Sequence, residues 1–356
     1  MKSISEETRN LDKVQLALLL LLRRALTGSK DVPEQMTETE WIDLGNLAIN
    51  CGVQAVAYDG LAGLPAESQP PREIKIKWTV NTAAIEDRNR KHKEVLLFLN
   101  DIMKAKKMRM LLLNGLGNAS YYPIPEHREN SDIDIYTFDE SIMVDKMISN
   151  RGIKVDAAPN FSSDFVLNGV LIENHHHFFN VRTSPLNRCF EAKMMELLET
   201  DKTRCKIFDA VSIPSPNEDI HLMSLRLMNK FAMGSCTLRH LCDWTTFLYR
   251  NEKNVDFLKF YLFLKDNGVY ETASEITEIC IRYLGLSDSF RVPSAPRNQA
   301  VENEMLIRMM NVKKRMHRTF SFQEKVEWLR SISWNYRIVH HDGSFWIVVL
   351  KTLLFS

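Results

Sequence analysis

Two aspartates, Asp132 and Asp134, stand at i, i+2 within the run Ser131-Asp132-Ile133-Asp134-Ile135. Side chains alternate faces along a strand, so both carboxylates project from one face while Ile133 and Ile135 project from the other. Unpaired carboxylates at that spacing repel. Divalent cations relieve the repulsion, since hard ions such as Mg²⁺ take carboxylate oxygens, and a pair of such ions suits in-line displacement at phosphorus. A lone D-x-D is a weak signal, and its usual meaning is a solvent-facing strand edge guarded by acid. The context adds weight. Upstream, Leu111-Leu112-Leu113 runs into Asn114-Gly115-Leu116-Gly117-Asn118, a turn where backbone can approach a phosphate closely; a plain strand-to-helix turn explains the same glycines. Arg128 offers a planar fork to phosphate, or equally to Asp132 or Glu129. Tyr121 and Tyr122 could stack on a base or pack beside Pro123.

From about residue 108 to 138 the chain resembles a bacterial family of uncharacterised nucleotidyltransferases within the polymerase-beta-like nucleotidyltransferase superfamily. The resemblance rests on Gly115, Gly117, Asn118, Tyr122-Pro123, Arg128 and Asp132-Ile133-Asp134. Two positions depart from the family pattern: Asn114 stands where Lys is usual, and Ser131 where Gly is usual. The family also carries a Glu-x-His on a later strand, matched here by Glu173-Asn174-His175. At strand spacing Glu173 and His175 share a face, as the aspartates do. The string Arg239-His240-Leu241-Cys242-Asp243-Trp244 resembles the family too, although an i, i+4 ion pair beside a core tryptophan accounts for it.

The resemblance implies an α+β fold: a nucleotidyltransferase-like small mixed β-sheet with flanking helices, plus helical N- and C-terminal regions. It implies a two-metal transfer of a nucleotidyl group from an NTP to an acceptor hydroxyl, with release of pyrophosphate. Asp132, Asp134 and Glu173 would be the catalytic residues and the ligands of Mg²⁺ (or Mn²⁺), with Glu173 either ligating metal or taking the acceptor's proton. Asn114, Gly115, Gly117, Asn118, Arg128 and His175 would bind the nucleotide. The acceptor is open among a small molecule, a sugar, a protein and RNA. Because Asn114 removes a positive charge beside the triphosphate, a non-catalytic nucleotide- or partner-binding relative of the same fold is the second expectation. A helical scaffold whose D-x-D is surface decoration is the third.

His175-His176-His177 invites a transition metal, but consecutive strand residues alternate faces and no cysteine lies nearby in sequence, so a zinc site is not expected. The chain's 46 basic and 45 acidic residues nearly balance, and no global field favours nucleic acid or membrane. Six cysteines (51, 189, 205, 236, 242, 280) without C-x-x-C spacing argue against a structural zinc and a disulfide framework and fit a reducing cytoplasm. Leu16–Leu22 is too short for a signal peptide and is followed by Arg23-Arg24. The apolar tail 345–355 is broken by Lys351 and too short to span a bilayer, so no stable membrane insertion is expected.

Three regions follow: a helical region 1–106, an α/β core 107–213 and a helical region 214–356. The first holds a buried helix 11–26, a helix 39–50, a Gly/Pro loop 60–71 and one or two helices over 73–106. The core holds strands at 108–113 and 133–138, a helix capped by Asp139, strands flanking an Asn168-Gly169 hairpin, and a helix 185–205. After Pro214-Ser215-Pro216, helices are expected at 218–233, 236–250, 254–267 and 271–284. A proline-bearing linker 286–298 then leads to a helix 301–318, whose Lys313-Lys314-Arg315 and Arg318 would face solvent or a polyanion.

Overall fold

The computed structural model describes residues 11–158, 161–182, 184–311, 321–340 and 345–355. In chain order the first elements are α1 (Lys13–Thr27), α2 (Glu38–Asn50), α3 (Gln54–Asp59) and α4 (Arg72–Ala105). Then come β1 (Met110–Leu113), α5 (Leu116–Ala119), β2 (Asp132–Tyr136), α6 (Ser141–Ser149), β3 (Val155–Ala158), β4 (Ser162–Leu167), β5 (Val170–His175) and α7 (Pro185–Thr200). The strands β6 (Cys205–Lys206) and β7 (Val211–Ile213) precede α8 (Pro216–Ala232), α9 (Leu238–Asn251), α10 (Phe257–Asp266) and α11 (Tyr270–Leu284). The last helices are α12 (Gln299–Met310), α13 (Phe322–Val339) and α14 (Phe345–Phe355). The fold is α+β.

The three segments of the sequence reading distribute over two compact units. Residues 1–78, 224–249 and 257–356 form one; 79–223 with 250–256 form the other. In the helical unit, Leu18, Leu19, Leu21 and Leu22 of α1 are almost wholly buried, because α2, α3 and α11 all pack on this helix. A Cβ at Gly60 would lie 2.2 Å from the Leu21 carbonyl oxygen, so only glycine lets α1 and the end of α3 approach so closely. Thr37 and Glu40 form the capping box that starts α2. The tail helix α14 lays Phe345, Val348 and Val349 against Trp328, Leu329 and Ile332 of α13. The basic residues Lys313-Lys314-Arg315 and Arg318 lie outside the described residues. Among the described residues no helix is long and apolar enough to cross a membrane, and all six cysteines are free.

The second unit carries a seven-stranded mixed sheet in the order β3-β4-β5-β2-β1-β7-β6. Several boundaries differ from the sequence expectation. The helix from Pro185 ends at Thr200 rather than near Cys205, because the chain turns there into β6 and then β7. These two strands are only two and three residues long, too short for a period-2 pattern. The helix α6 starts at Ser141, and its N-cap is Glu140 with no side-chain cap, not Asp139, whose backbone sits at φ 69. The hairpin is as expected: Asn168 and Gly169 both take positive φ, which a two-residue type I′ turn demands. Leu112, Ile133, Ile135, Phe165 and Ile172 cluster with Val95, Leu96 and Leu99 of α4 and with Val144 and Ile148 of α6. Each such side chain contributes about 1.5–3 kcal/mol on burial. With this face committed to the core, strand alternation turns Asp132, Asp134, Glu173 and His175 to the other.

Candidate active site

Strand register brings the acidic residues together. β2 and β5 are parallel neighbours, with Asp134 opposite Glu173, Asp132 opposite Leu171 and Tyr136 opposite His175. Antiparallel β1 sets Leu113 opposite Asp134. The next residue, Asn114, therefore turns over the carboxylate, and its Nδ2 donates to Asp134 Oδ2 at 3.2 Å. Asn114 and Gly115 take φ of 47° and 46°, and Gly115 has ψ of −114°. Asparagine tolerates left-handed φ better than most residues, whereas the Gly115 conformation is open only to glycine. Gly117 and Asn118 are buried in α5, and the Gly117 amide is taken by the Asn114 carbonyl at 2.7 Å.

On the other side of Asp134, its Oδ1 accepts a hydrogen bond from His175 Nε2 at 2.8 Å. The same nitrogen lies 3.6 Å from Glu173 Oε2. His175 is buried, with side-chain exposure of 3%, while Asp134 at 12% and Glu173 at 32% retain access to solvent. One ligand atom from each of Asp134, Glu173 and His175 falls within 4.8 Å of the others, a spacing that can hold a metal ion. The donors are mainly hard oxygens, which suits Mg²⁺ or Mn²⁺. Asp132 is outside this tight group, two residues earlier on β2 and opposite Leu171.

The electrostatics agree with the geometry. Burial, and after it Asp134, raise the Glu173 carboxyl from its ordinary 4.5 to about 7; His175 opposes, and Asp132 and Asp164 add to the rise. A positive charge placed beside such a carboxylate would favour its ionised form. Asp164, absent from the sequence reading, pairs with Glu173 across the β4–β5 hairpin. It is raised by burial and by Asp156, Asp134 and Asp132, and its Oδ1 is buried without a hydrogen bond. Alternation alone could have flagged it, since Asp164 and Glu173 are equidistant from the Asn168-Gly169 turn.

Other candidates are engaged elsewhere. Arg128 is 6% exposed and donates to Asn130 Oδ1 and, at 3.2 Å, to the Glu129 carbonyl. Tyr122 is 3% exposed, and the Tyr121 hydroxyl donates to Asp219 Oδ2 at 2.8 Å, so both tyrosines are packing residues here. The three histidines meet three different carboxylates. His175 faces Asp134, His176 lies 3.8 Å from Asp145, and His177 lies 3.1 Å from Glu191. A cavity of about 680 Å³ lined by Leu96, Leu112, Leu116, Ile124 and Phe208 opens on the α4 face of the sheet, away from these acids.

Residues 37–284 match the family model described as uncharacterised nucleotidyltransferase. The chain belongs to this family. No curated protein and no solved structure matches it. The matched stretch contains the glycine turn, the D-x-D strand and the Glu-x-His strand, and it extends through α9, where the Arg239–Trp244 string lies. Membership supports general nucleotidyl transfer. For a member of this family, the adjacency of Asp134 and Glu173 on paired parallel strands is the feature that bears most directly on chemistry.

Proposed function

We propose that the protein transfers a nucleotidyl group from an NTP to an acceptor hydroxyl, with pyrophosphate as the leaving group. The observation that carries this reading is the Asp134–Glu173–His175 cluster, built on paired strands within a nucleotidyltransferase-family chain. Asp134 and Glu173, with Asp132 beside them, would hold Mg²⁺ or Mn²⁺, whose charge would offset that of the triphosphate. His175 and Asn114 hold the two oxygens of Asp134, one each, and so fix its orientation. In the reaction the acceptor oxygen bonds to the α-phosphorus and the bond to the bridging oxygen breaks. Pyrophosphate leaves, and the hydroxyl proton passes to a site carboxylate. Glu173 would serve either as a ligand of the metal or, where it leaves the ligation to the aspartates, as the acceptor of that proton. The Asn114–Asn118 turn would approach the triphosphate with its backbone.

The test is a screen of the four NTPs, each labelled at the α-phosphate, with and without Mg²⁺ or Mn²⁺. It scores pyrophosphate release and label transfer to a pooled acceptor extract. Metal-dependent release with at least one NTP is expected. Nucleotide binding that is indifferent to metal, with no release, would support the non-catalytic relative instead.

A further inference from the structure

The loop that launches Asp132 is gripped from α4. Asn89 is 4% exposed on this helix. Its Nδ2 donates to the carbonyls of Glu126 at 2.6 Å and Arg128 at 2.8 Å. Its Oδ1 accepts from Asn130 Nδ2 at 2.9 Å, so both amide protons and the acceptor are used. Asn130, 2% exposed, also donates to the Arg128 carbonyl at 3.0 Å, and its Oδ1 takes the Arg128 guanidinium. That Oδ1 lies 3.5 Å from where a Cβ on Gly115 would stand, as does the Asp132 carbonyl oxygen. The glycine turn and the start of the D-x-D strand thus meet at one buried amide network.

We infer that Asn89 is a positioning residue for the reaction under Proposed function, on which this rests: it fixes Asp132 and Gly115 relative to each other. Only an amide of this length serves. Aspartate has no proton for the two carbonyls, and alanine removes all three bonds, taking this donor from the Glu126 carbonyl and leaving the buried Arg128 carbonyl and Asn130 amide with only the bond between them. Asn89 touches neither substrate nor metal; it acts through Asn130 and the loop backbone.

Hydrogen exchange and Mn²⁺ binding by electron paramagnetic resonance test this on the full chain. In EDTA, Asn89→Ala should speed exchange of amides 128–134 and 115–118 about tenfold, as expected for a lost buried network. Amides of the β4–β5 hairpin should keep the parent rates. Uniform acceleration across the sheet would mean plain packing, and unchanged loop amides would mean no clamp; either overturns the inference. Asn89→Ala should also weaken Mn²⁺ about tenfold, but add nothing in an Asp132→Asn background, because the effect passes through Asp132. Asn89→Asp should reproduce both effects. Equal losses in both backgrounds would overturn the route through Asp132. A parent chain that binds no Mn²⁺ sinks the metal reading alone, and exchange then decides whether Asn89 holds the loop.

Discussion

Glu173 provides a direct test of the carboxylate cluster without any substrate. Its folded carboxyl titrates near 7 against an ordinary 4.5, with burial as the main cause and Asp134 next. The folded state therefore holds this proton more tightly than the unfolded state. Its contribution to stability is fully present below 4.5 and is lost as pH rises through about 7. The full rise corresponds to ~3 kcal/mol; solvent reaching this partly exposed side chain reduces that to ~1–2 kcal/mol. Glu173→Gln removes the charge and keeps the shape, so in EDTA it should stabilise the sheet by that amount at pH 8 and by much less at pH 5. All six tryptophans lie at 41, 78, 244, 328, 334 and 346, in the helical unit, so their fluorescence does not report on the sheet. Hydrogen exchange of the β2 and β5 amides, corrected for intrinsic rates, does. The parent should exchange about 5- to 30-fold faster than Glu173→Gln at pH 8, with the ratio falling toward one at pH 5. A ratio independent of pH, or a variant that exchanges faster at pH 8, would refute the claim that Glu173 is held against its own charge.

Replacing Asp132 and Asp134 together by alanine should lower metal-dependent pyrophosphate release by several orders of magnitude while leaving the helical unit folded, as judged by tryptophan fluorescence. Asn114→Lys should cost about 1 kcal/mol for placing lysine at left-handed φ, yet tighten metal-dependent nucleotide binding measured by calorimetry. Weaker binding would show the ammonium pairing with Asp134 rather than phosphate. Gly60→Ala should destabilise the helical unit by about 1–3 kcal/mol or more, since its methyl meets the Leu21 carbonyl, and tryptophan-monitored denaturation reads this.

What the sequence discloses here is what is local. The i, i+2 aspartates, the Asn168-Gly169 turn and the Glu-x-His strand are written in consecutive residues, and each has the structure its spacing demands. Pairing between distant segments is not written that way. That Glu173 lies opposite Asp134, rather than Asp132, is decided by the parallel register of β2 and β5, and that register is fixed by burying Ile133, Ile135 and Ile172 together against α4 and α6. Asp164 follows from the Asn168-Gly169 turn by simple extension of the hairpin one pair beyond Phe165–Ile172. Asn89 was hidden for a different reason. In Glu86-Asp87-Arg88-Asn89-Arg90 it reads as one more polar residue on a solvated helix, and composition says nothing of the backbone carbonyls that come to meet it. The same limit explains the two discontinuous units, since residues 1–78 join 224–249 and 257–356 through contacts whose sequence separation no periodicity encodes. The candidate side chains Asp132, Asp134, Glu173 and His175 are thus readable from the chain, while the groups that hold them in place are supplied by tertiary contacts that only the fold reveals.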